Sequence, residues 1–121
     1  MSLRRLVLVT PEVVDHIVGI GLERSPQEAC GLVLPPGKVV ELRNVCPTPR
    51  KSYLVDNGEL EQVLTKFIDD TRAFDLHPSD FLVWHTHPRG TIGPSEGDLE
   101  ARQEGFKYLV VSLPDGEAVR F

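Results

Sequence analysis

The sequence has little of several features that mark specialised proteins. Only two of its 121 residues are cysteine, Cys30 and Cys46, which is too few for a disulfide framework and predicts reduced thiols. No apolar run approaches the ~18 residues needed to cross a bilayer, so we expect no membrane-spanning helix. Basic residues cluster at most in pairs and the net charge is -5. This balance argues against nucleic acid and anionic membrane as partners.

The start of the chain lacks the pattern of a secretion signal. Met1–Leu6 carries two arginines but only a short apolar run and no small-residue cleavage site, so we expect no signal peptide. Together with reduced thiols this predicts a cytoplasmic protein. The length fits a single domain over residues 1–121, and a hydrophobic content of 40% with a charged content of 26% is typical of a globular protein.

Hydrophobic periodicity predicts alternating strands and helices. The predicted helices span 11–24, 57–74 and 96–104, and the predicted strands span 6–9, 28–34, 39–45, 52–55, 81–87, 106–113 and 117–121. Thr10 before Pro11 is a helix N-cap followed by proline at the first helical position. Asp56 and Glu59 have the spacing of a capping box. Elements of both kinds predict an α/β or α+β fold with a mixed sheet.

The most reactive set of side chains lies around His85-Thr86-His87-Pro88, which is followed after six residues by Ser95-Glu96-Gly97-Asp98. The period of two in a strand places His85 and His87 on one face, so both rings can reach one ion. Asp98 falls in the first turn of the next predicted helix. Two histidines and a carboxylate with a fourth position open are typical of catalytic zinc, which lowers the pKa of a bound water to about 7.

A hydrolytic zinc site also needs a general base and a second electrophile. Ser95 is the candidate electrophile, because its hydroxyl could donate to a developing oxyanion. Glu28 is the candidate base, since a carboxylate that enters the apolar run Ala29-Cys30-Gly31 is unusual without a function.

Each of these residues also has a simpler structural interpretation. Ser95-x-x-Asp98 is a common helix-start pattern, and the helix dipole favours a first-turn Asp. Glu28 could merely precede a strand, and Cys30 fits a small buried residue better than a nucleophile. The joint occurrence of all the residues in one order favours a site over these separate explanations.

Three segments resemble the JAMM (MPN+) metallopeptidases: His85–Pro88, Ser95–Asp98 at the six-residue interval, and the upstream Pro26–Leu32. Position 86 is Thr where many members have Ser. The resemblance implies a cytidine-deaminase-like α/β sandwich, with a mixed β-sheet flanked by helices.

The resemblance also implies a role for each candidate residue. His85, His87 and Asp98 would bind zinc. Glu28 would be the acid/base that holds the catalytic water, and Ser95 would stabilise the tetrahedral intermediate. The expected activity is hydrolysis of a peptide or isopeptide bond in a protein or peptide substrate.

The compact chain is most similar to the short prokaryotic members of that family, without the insertions by which eukaryotic deubiquitinases hold ubiquitin. Similar short bacterial proteins cut at the Gly-Gly end of ubiquitin-like sulfur carriers, which is the substrate class we expect. A phage-tail-type cell-wall peptidase and a non-catalytic scaffold of the same fold are the alternatives. A nucleobase deaminase is excluded because neither Cys30 nor Cys46 lies in a Cys-x-x-Cys pair. The sequence leaves the oligomeric state open.

Overall fold

The computed structural model describes residues 6–121. The Arg4-Arg5 pair and the start of the chain, for which we expect no signal peptide, lie outside the described residues. In chain order the elements are α1 (Pro11–Arg24), β1 (Cys30–Leu34), β2 (Lys38–Leu42), α2 (Asn57–Thr71), a 3-10 turn (Pro78–Asp80), β3 (Leu82–His87), α3 (Glu96–Glu100), β4 (Lys107–Ser112) and β5 (Ala118–Arg120).

The strands form one mixed sheet in the order β2-β1-β3-β4-β5. β3 and β4 are parallel, whereas the other neighbouring pairs are antiparallel. α1 packs on one face of the sheet and α2 on the other. The predicted α/β (α+β) class, a mixed sheet flanked by helices, is therefore confirmed.

The alternation of side chains along β3 supplies both cores. Leu82 and Trp84 pack toward α1, and the Trp84 indole N–H donates to the Leu32 carbonyl at 3.1 Å. Val83 packs toward α2. Every residue of β3 is buried, because the strand has a neighbour on each edge and a helix over each face. His85 and His87 follow Val83 on the α2 face of β3, so both histidines lie in the buried centre of the sheet.

The two long helices begin as predicted. The Thr10 hydroxyl accepts from the Val13 N–H, and α1 has the predicted bounds. The Asp56 carboxylate caps α2 by accepting from the N–H groups of Gly58 and Glu59. The capping box is only half formed, because the Glu59 side chain accepts instead from the Arg43 N–H. α2 ends at Thr71 and not at residue 74, since the chain turns into the left-handed region at the next residue.

Two predicted strands, 6–9 and 52–55, are absent from the described residues. The Leu8 N–H donates to the Pro36 carbonyl in the turn after β1. The first segment therefore bonds to a turn and not to the edge of a strand. The second segment makes only an isolated bridge between Val55 and Asn44. The Asn44 side chain occupies the Ser52 carbonyl and the Leu54 N–H, which a strand ladder would otherwise use.

The remaining predicted elements exist with shorter bounds. β1 begins at Cys30, so Glu28 precedes the strand and does not belong to it. α3 ends at Glu100 and not at residue 104, and Gly105 with φ 89° turns the chain into β4. Both cysteines are free, with Cys30 buried and Cys46 half-buried. None of the helices within residues 6–121 has the length and apolarity needed to cross a membrane.

The packing around Gly31 leads to a stability prediction. A Cβ at this position would overlap the Val40 carbonyl oxygen and lie 2.7 Å from the Trp84 ring. We expect Gly31→Ala to lower the free energy of unfolding by about 3 kcal/mol, at the upper end of overpacking costs. Chemical denaturation measures the change.

A second glycine provides the matched control. A Cβ at Gly19, inside α1, has no atom within 4 Å. Gly19→Ala should raise the free energy of unfolding by about 0.5–1 kcal/mol through helix propensity. If the two variants unfolded at the same denaturant concentration, the close approach of β1 to Trp84 and β2 would be wrong.

Candidate metal centre

The two histidines lie at the carboxyl end of the central strand. His85 is fully buried and His87 is nearly so, with 7% of its surface exposed. His85 is flanked by Cys30 of β1 and Val110 of β4, and His87 is flanked by Ser112. Because backbone pairing fixes β3 on both edges, the two rings leave a rigid support. Their Nε2 atoms are 3.3 Å apart.

Asp98 reaches these rings because of how α3 begins. The Ser95 hydroxyl accepts from the Asp98 N–H, and the Ser95 N–H donates to Asp98 Oδ2, both at 3.0 Å. This reciprocal capping box holds the Asp98 carboxylate against the histidines. Oδ2 is 3.0 Å from His85 Nε2 and 3.1 Å from His87 Nε2. The helix-start interpretation of Ser95-x-x-Asp98 and the site interpretation therefore describe the same geometry.

The three converging atoms fit a tetrahedral metal ion. Ligand atoms about 2.0–2.1 Å from a tetrahedral zinc lie about 3.3 Å from one another, close to the spacings of 3.0, 3.1 and 3.3 Å found here. His87 Nδ1 donates to the Thr91 carbonyl at 3.2 Å. Since a carbonyl only accepts, the proton of neutral His87 is on Nδ1 and the lone pair of Nε2 faces the cluster.

The pKa shifts favour an ionised Asp98 and a neutral His85, which are the forms that bind a metal, but they favour the protonated form of His87. Burial raises the pKa of Asp98, but hydrogen bonds from His85 and His87 outweigh it and hold that pKa well below its usual range. Burial lowers the pKa of His85 despite its contact with Asp98, which favours the neutral imidazole. The hydrogen bond to Asp98 raises the pKa of His87. A carboxylate beside imidazoles is the donor set that zinc binds once the rings are neutral.

Glu28 lies over the histidine pair although it comes much earlier in the chain. One of its carboxylate oxygens lies within 4.8 Å of a ring nitrogen of each histidine. The side chain is buried, and Oε1 has no hydrogen-bond partner in the part of the chain that the structure describes. Burial raises the pKa of Glu28 to about 7, with His87 lowering it and Asp98 raising it. A carboxyl with this pKa can take up and release a proton near neutrality.

Thr86 is the residue that brings Glu28 to this position, and the sequence analysis missed it. The Thr86 hydroxyl accepts from the Ala29 N–H, and the Ala29 carbonyl accepts from the Thr86 N–H, both at 3.0 Å. The residue after Glu28 is thereby tied to the residue between the two histidines. A hydroxyl on the apolar α1 face of a buried strand was the signal that could have revealed this role.

Tyr53 is a second residue that sequence reasoning missed. Its ring stacks on His85 with centroids 4.3 Å apart and planes 19° from parallel. Burial raises the pKa of the Tyr53 hydroxyl above its ordinary value, so the phenol stays neutral. The contact covers one face of the His85 ring. Nothing in the local sequence distinguishes Tyr53 from any other aromatic residue in a proline-bounded segment.

Two cavities border the cluster and differ in chemistry. One, of about 430 Å³, has Glu28 in its wall together with Arg24, Glu41, Arg43, Asn44 and Glu59. The other, of about 280 Å³, has Ser95 and Asp98 at one side and apolar walls from Tyr53, Leu60 and Phe106.

Comparison with known proteins assigns the chain to a family. The family described as "Prokaryotic homologs of the JAB domain" matches residues 10–121. The chain belongs to this family. The predicted resemblance to JAMM/MPN+ proteins of the prokaryotic type is thus confirmed.

Two curated relatives of this JAB-domain chain are each 27% identical to it. One, from Haloferax volcanii, is named "Probable metalloprotease", and its match covers 93% of this chain and 70% of the relative. The other, from Thermus thermophilus, is named "Probable TtuB-protein conjugate cleaving protease", with 81% of this chain and 70% of the relative covered. A solution structure from Salinibacter ruber matches with 22% identity and a TM-score of 0.48, over 95% of this chain and 76% of the other.

Within the JAB domain all five predicted site residues come to one place. His85, His87 and Asp98 form the cluster, with Glu28 beside the histidines. Ser95 is exposed at the start of α3, and its hydroxyl accepts from Asp98 while its own hydrogen is free to donate elsewhere. Their roles as metal ligands, base and oxyanion donor stay predictions.

The convergence of three ligand atoms predicts how zinc affects stability. Zinc at 100 times its dissociation constant should stabilise the native protein by about 2.7 kcal/mol and raise its melting temperature. Asp98→Asn should lose most of that shift, because an amide is a poorer zinc ligand than a carboxylate. Thermal denaturation with and without zinc, together with metal analysis, measures both effects.

The neighbouring helix residue Glu100 supplies the control. Glu100→Gln removes one negative charge from the same helix at an exposed position outside the cluster, so it should bind zinc as the wild type does. An Asp98→Asn variant that retained full zinc content and the full stability shift would remove Asp98 from the ligand set.

Proposed function

We propose that this protein is a zinc-dependent metallopeptidase or isopeptidase that hydrolyses an amide bond. The observation that carries the proposal is the position of the buried Glu28 carboxylate, one oxygen of which lies within 4.8 Å of a ring nitrogen of each histidine that contacts Asp98. A metal ligand set alone is compatible with a structural ion. A proton acceptor beside an open ligand set is the arrangement of a hydrolase.

His85, His87 and Asp98 would hold the zinc ion, which would supply a Lewis acid for the substrate carbonyl and would lower the pKa of a water molecule. Glu28 accepts a proton from the attacking water at its carboxylate oxygen. The resulting carboxylic acid then donates that proton to the nitrogen of the leaving amine, so one residue serves both steps. Its pKa near 7 suits both directions of transfer.

Ser95 stabilises the negative charge that develops on the substrate during the reaction. As the carbonyl carbon becomes tetrahedral, negative charge develops on its oxygen, and a preoriented hydroxyl donor stabilises that charge. The Ser95 hydroxyl is held at the start of α3 by the Asp98 N–H, which fixes its position relative to the ligand set. Tyr53 covers one face of His85, a side chain that is fully shielded from solvent.

The substrate we propose is the C-terminal region of a ubiquitin-like or sulfur-carrier protein. The name of the Thermus thermophilus relative, a probable TtuB-protein conjugate cleaving protease, supports a protein conjugate as the substrate class. The free cysteines support a cytoplasmic location.

A non-catalytic scaffold is the contrasting function for this fold. A scaffold has no need for a buried carboxylate without a partner, since burial of such a group costs folding free energy. The presence of all three ligand candidates and of Glu28 therefore supports the enzyme.

The role of Glu28 leads to the decisive kinetic prediction. Glu28→Gln keeps the shape of the side chain but cannot accept the proton, so kcat should fall by about 10²–10⁴-fold while zinc content is unchanged. Steady-state kinetics and metal analysis on the same preparation measure the two quantities. Glu23→Gln, which removes an exposed charge near the end of α1, should leave both as in the wild type. Wild-type turnover by Glu28→Gln would end the proposed role of Glu28.

The substrate class is tested by mass spectrometry. The zinc-loaded protein is incubated with a sulfur-carrier protein extended beyond its Gly-Gly tail and, separately, with peptidoglycan fragments. We expect the extension to be released at the Gly-Gly end. Cleavage of the wall fragments alone would replace the proposed substrate with that of a cell-wall peptidase.

A further inference from the structure

The backbone of Glu28 is held by a segment that sequence analysis did not connect with the site. β1 begins only at Cys30, so the sheet does not pair the backbone of Glu28. Instead the Glu28 N–H donates to the Pro49 carbonyl at 2.7 Å, and the Glu28 carbonyl accepts from the Asn44 side chain at 2.9 Å. Both contacts come from residues 44–55, which we name the clamp segment.

The side-chain amide of Asn44 holds the clamp segment together with four hydrogen bonds. Its Nδ2 donates to the carbonyls of Glu28 and Ser52, at 2.9 and 3.0 Å. Its Oδ1 accepts from the N–H groups of Cys46 and Leu54, both at 3.0 Å. These four bonds are the full capacity of an asparagine side chain.

The hydrogen bonds of Asn44 connect Glu28 with the Tyr53–His85 stack. One bond fixes the carbonyl of Glu28, and two others fix the backbone on either side of Tyr53, whose ring stacks on His85. The position of the carboxylate and the position of the stacked imidazole therefore depend on one amide. Thr86 ties the residue after Glu28 to β3, but no bond of Thr86 reaches the clamp segment.

We propose that Asn44 is a positioning residue, which acts through Glu28 and sets the distance between its carboxylate and the histidine pair. The inference rests on the proposed role of Glu28 as the acid/base. Proton transfer depends steeply on geometry, and a displacement of about 1 Å can cost 10²-fold in rate. Because Asn44 does not line the ligand cluster, its loss should leave metal binding intact.

Two variants test this role. Asn44→Ala removes all four hydrogen bonds, whereas Asn44→Asp keeps the two accepting contacts and loses the two donating ones, including the bond to Glu28. We expect both to lower kcat by about 10–100-fold with a change in KM below about 3-fold, at unchanged zinc content. Asn44→Asp keeps the test valid if Asn44→Ala does not fold.

A destabilised variant far from the site provides the matched control. Asp80 is buried and its carboxylate accepts from the His77 N–H, at the end of β3 opposite to the histidines. Asp80→Ala should lower the free energy of unfolding without changing kcat, measured well below the melting temperature of each variant. If Asn44→Ala and Asp80→Ala lowered kcat equally at equal loss of stability, Asn44 would be structural only.

The double variant separates this inference from the proposed function. If Asn44 acts through Glu28, adding Asn44→Asp to Glu28→Gln should cause no further loss of the residual rate. The positioning role would be overturned if the double variant lost rate by the product of the two single losses. It would also be overturned if Asn44→Asp alone raised KM at unchanged kcat. A wild-type rate for Glu28→Gln alone would instead overturn the proposed function, whatever the Asn44 variants do.

Discussion

The meeting of Asp98 Oδ2 with the two imidazole nitrogens is the interaction on which the rest of the site depends. Three polar atoms within 3.3 Å of one another, in a largely buried place, must share a proton or a cation. The rigid central strand supplies two of the atoms and the start of α3 supplies the third. The sheet order, which places β3 between β1 and β4, is what makes the first two immobile.

Glu28 shows how a buried charge can be supported from its backbone. Its Oε1 has no hydrogen-bond partner in residues 6–121. The backbone is instead held at each side, by Asn44 and Pro49 at Glu28 itself and by Thr86 at the next residue. The folding energy that this burial costs is compensated by packing elsewhere, which is typical of functional sites.

The sequence predicted every strand of the sheet, including the partly exposed edge strands β2 and β5. β1 and β3 are apolar and internal, and pairing with neighbouring strands satisfies their backbone groups. The wrong predictions at 6–9 and 52–55 fall at the periphery, where short apolar runs have several possible partners. There a proline turn and the Asn44 amide took the hydrogen bonds that strands would have used. Local propensity cannot decide between such partners.

By itself the sequence determined the fold class and the identity of the candidate residues, because strand period, helix-start chemistry and the spacing of His85, His87 and Asp98 are local properties. Only the tertiary structure decided how Glu28 meets the histidines and which residues hold it there. Those contacts join Asn44, Tyr53 and Thr86 across the chain, and each depends on strand register and on the path of the segment after β2. Long-range contacts of this kind leave no periodic trace in a sequence, since they arise from packing between segments and not within them.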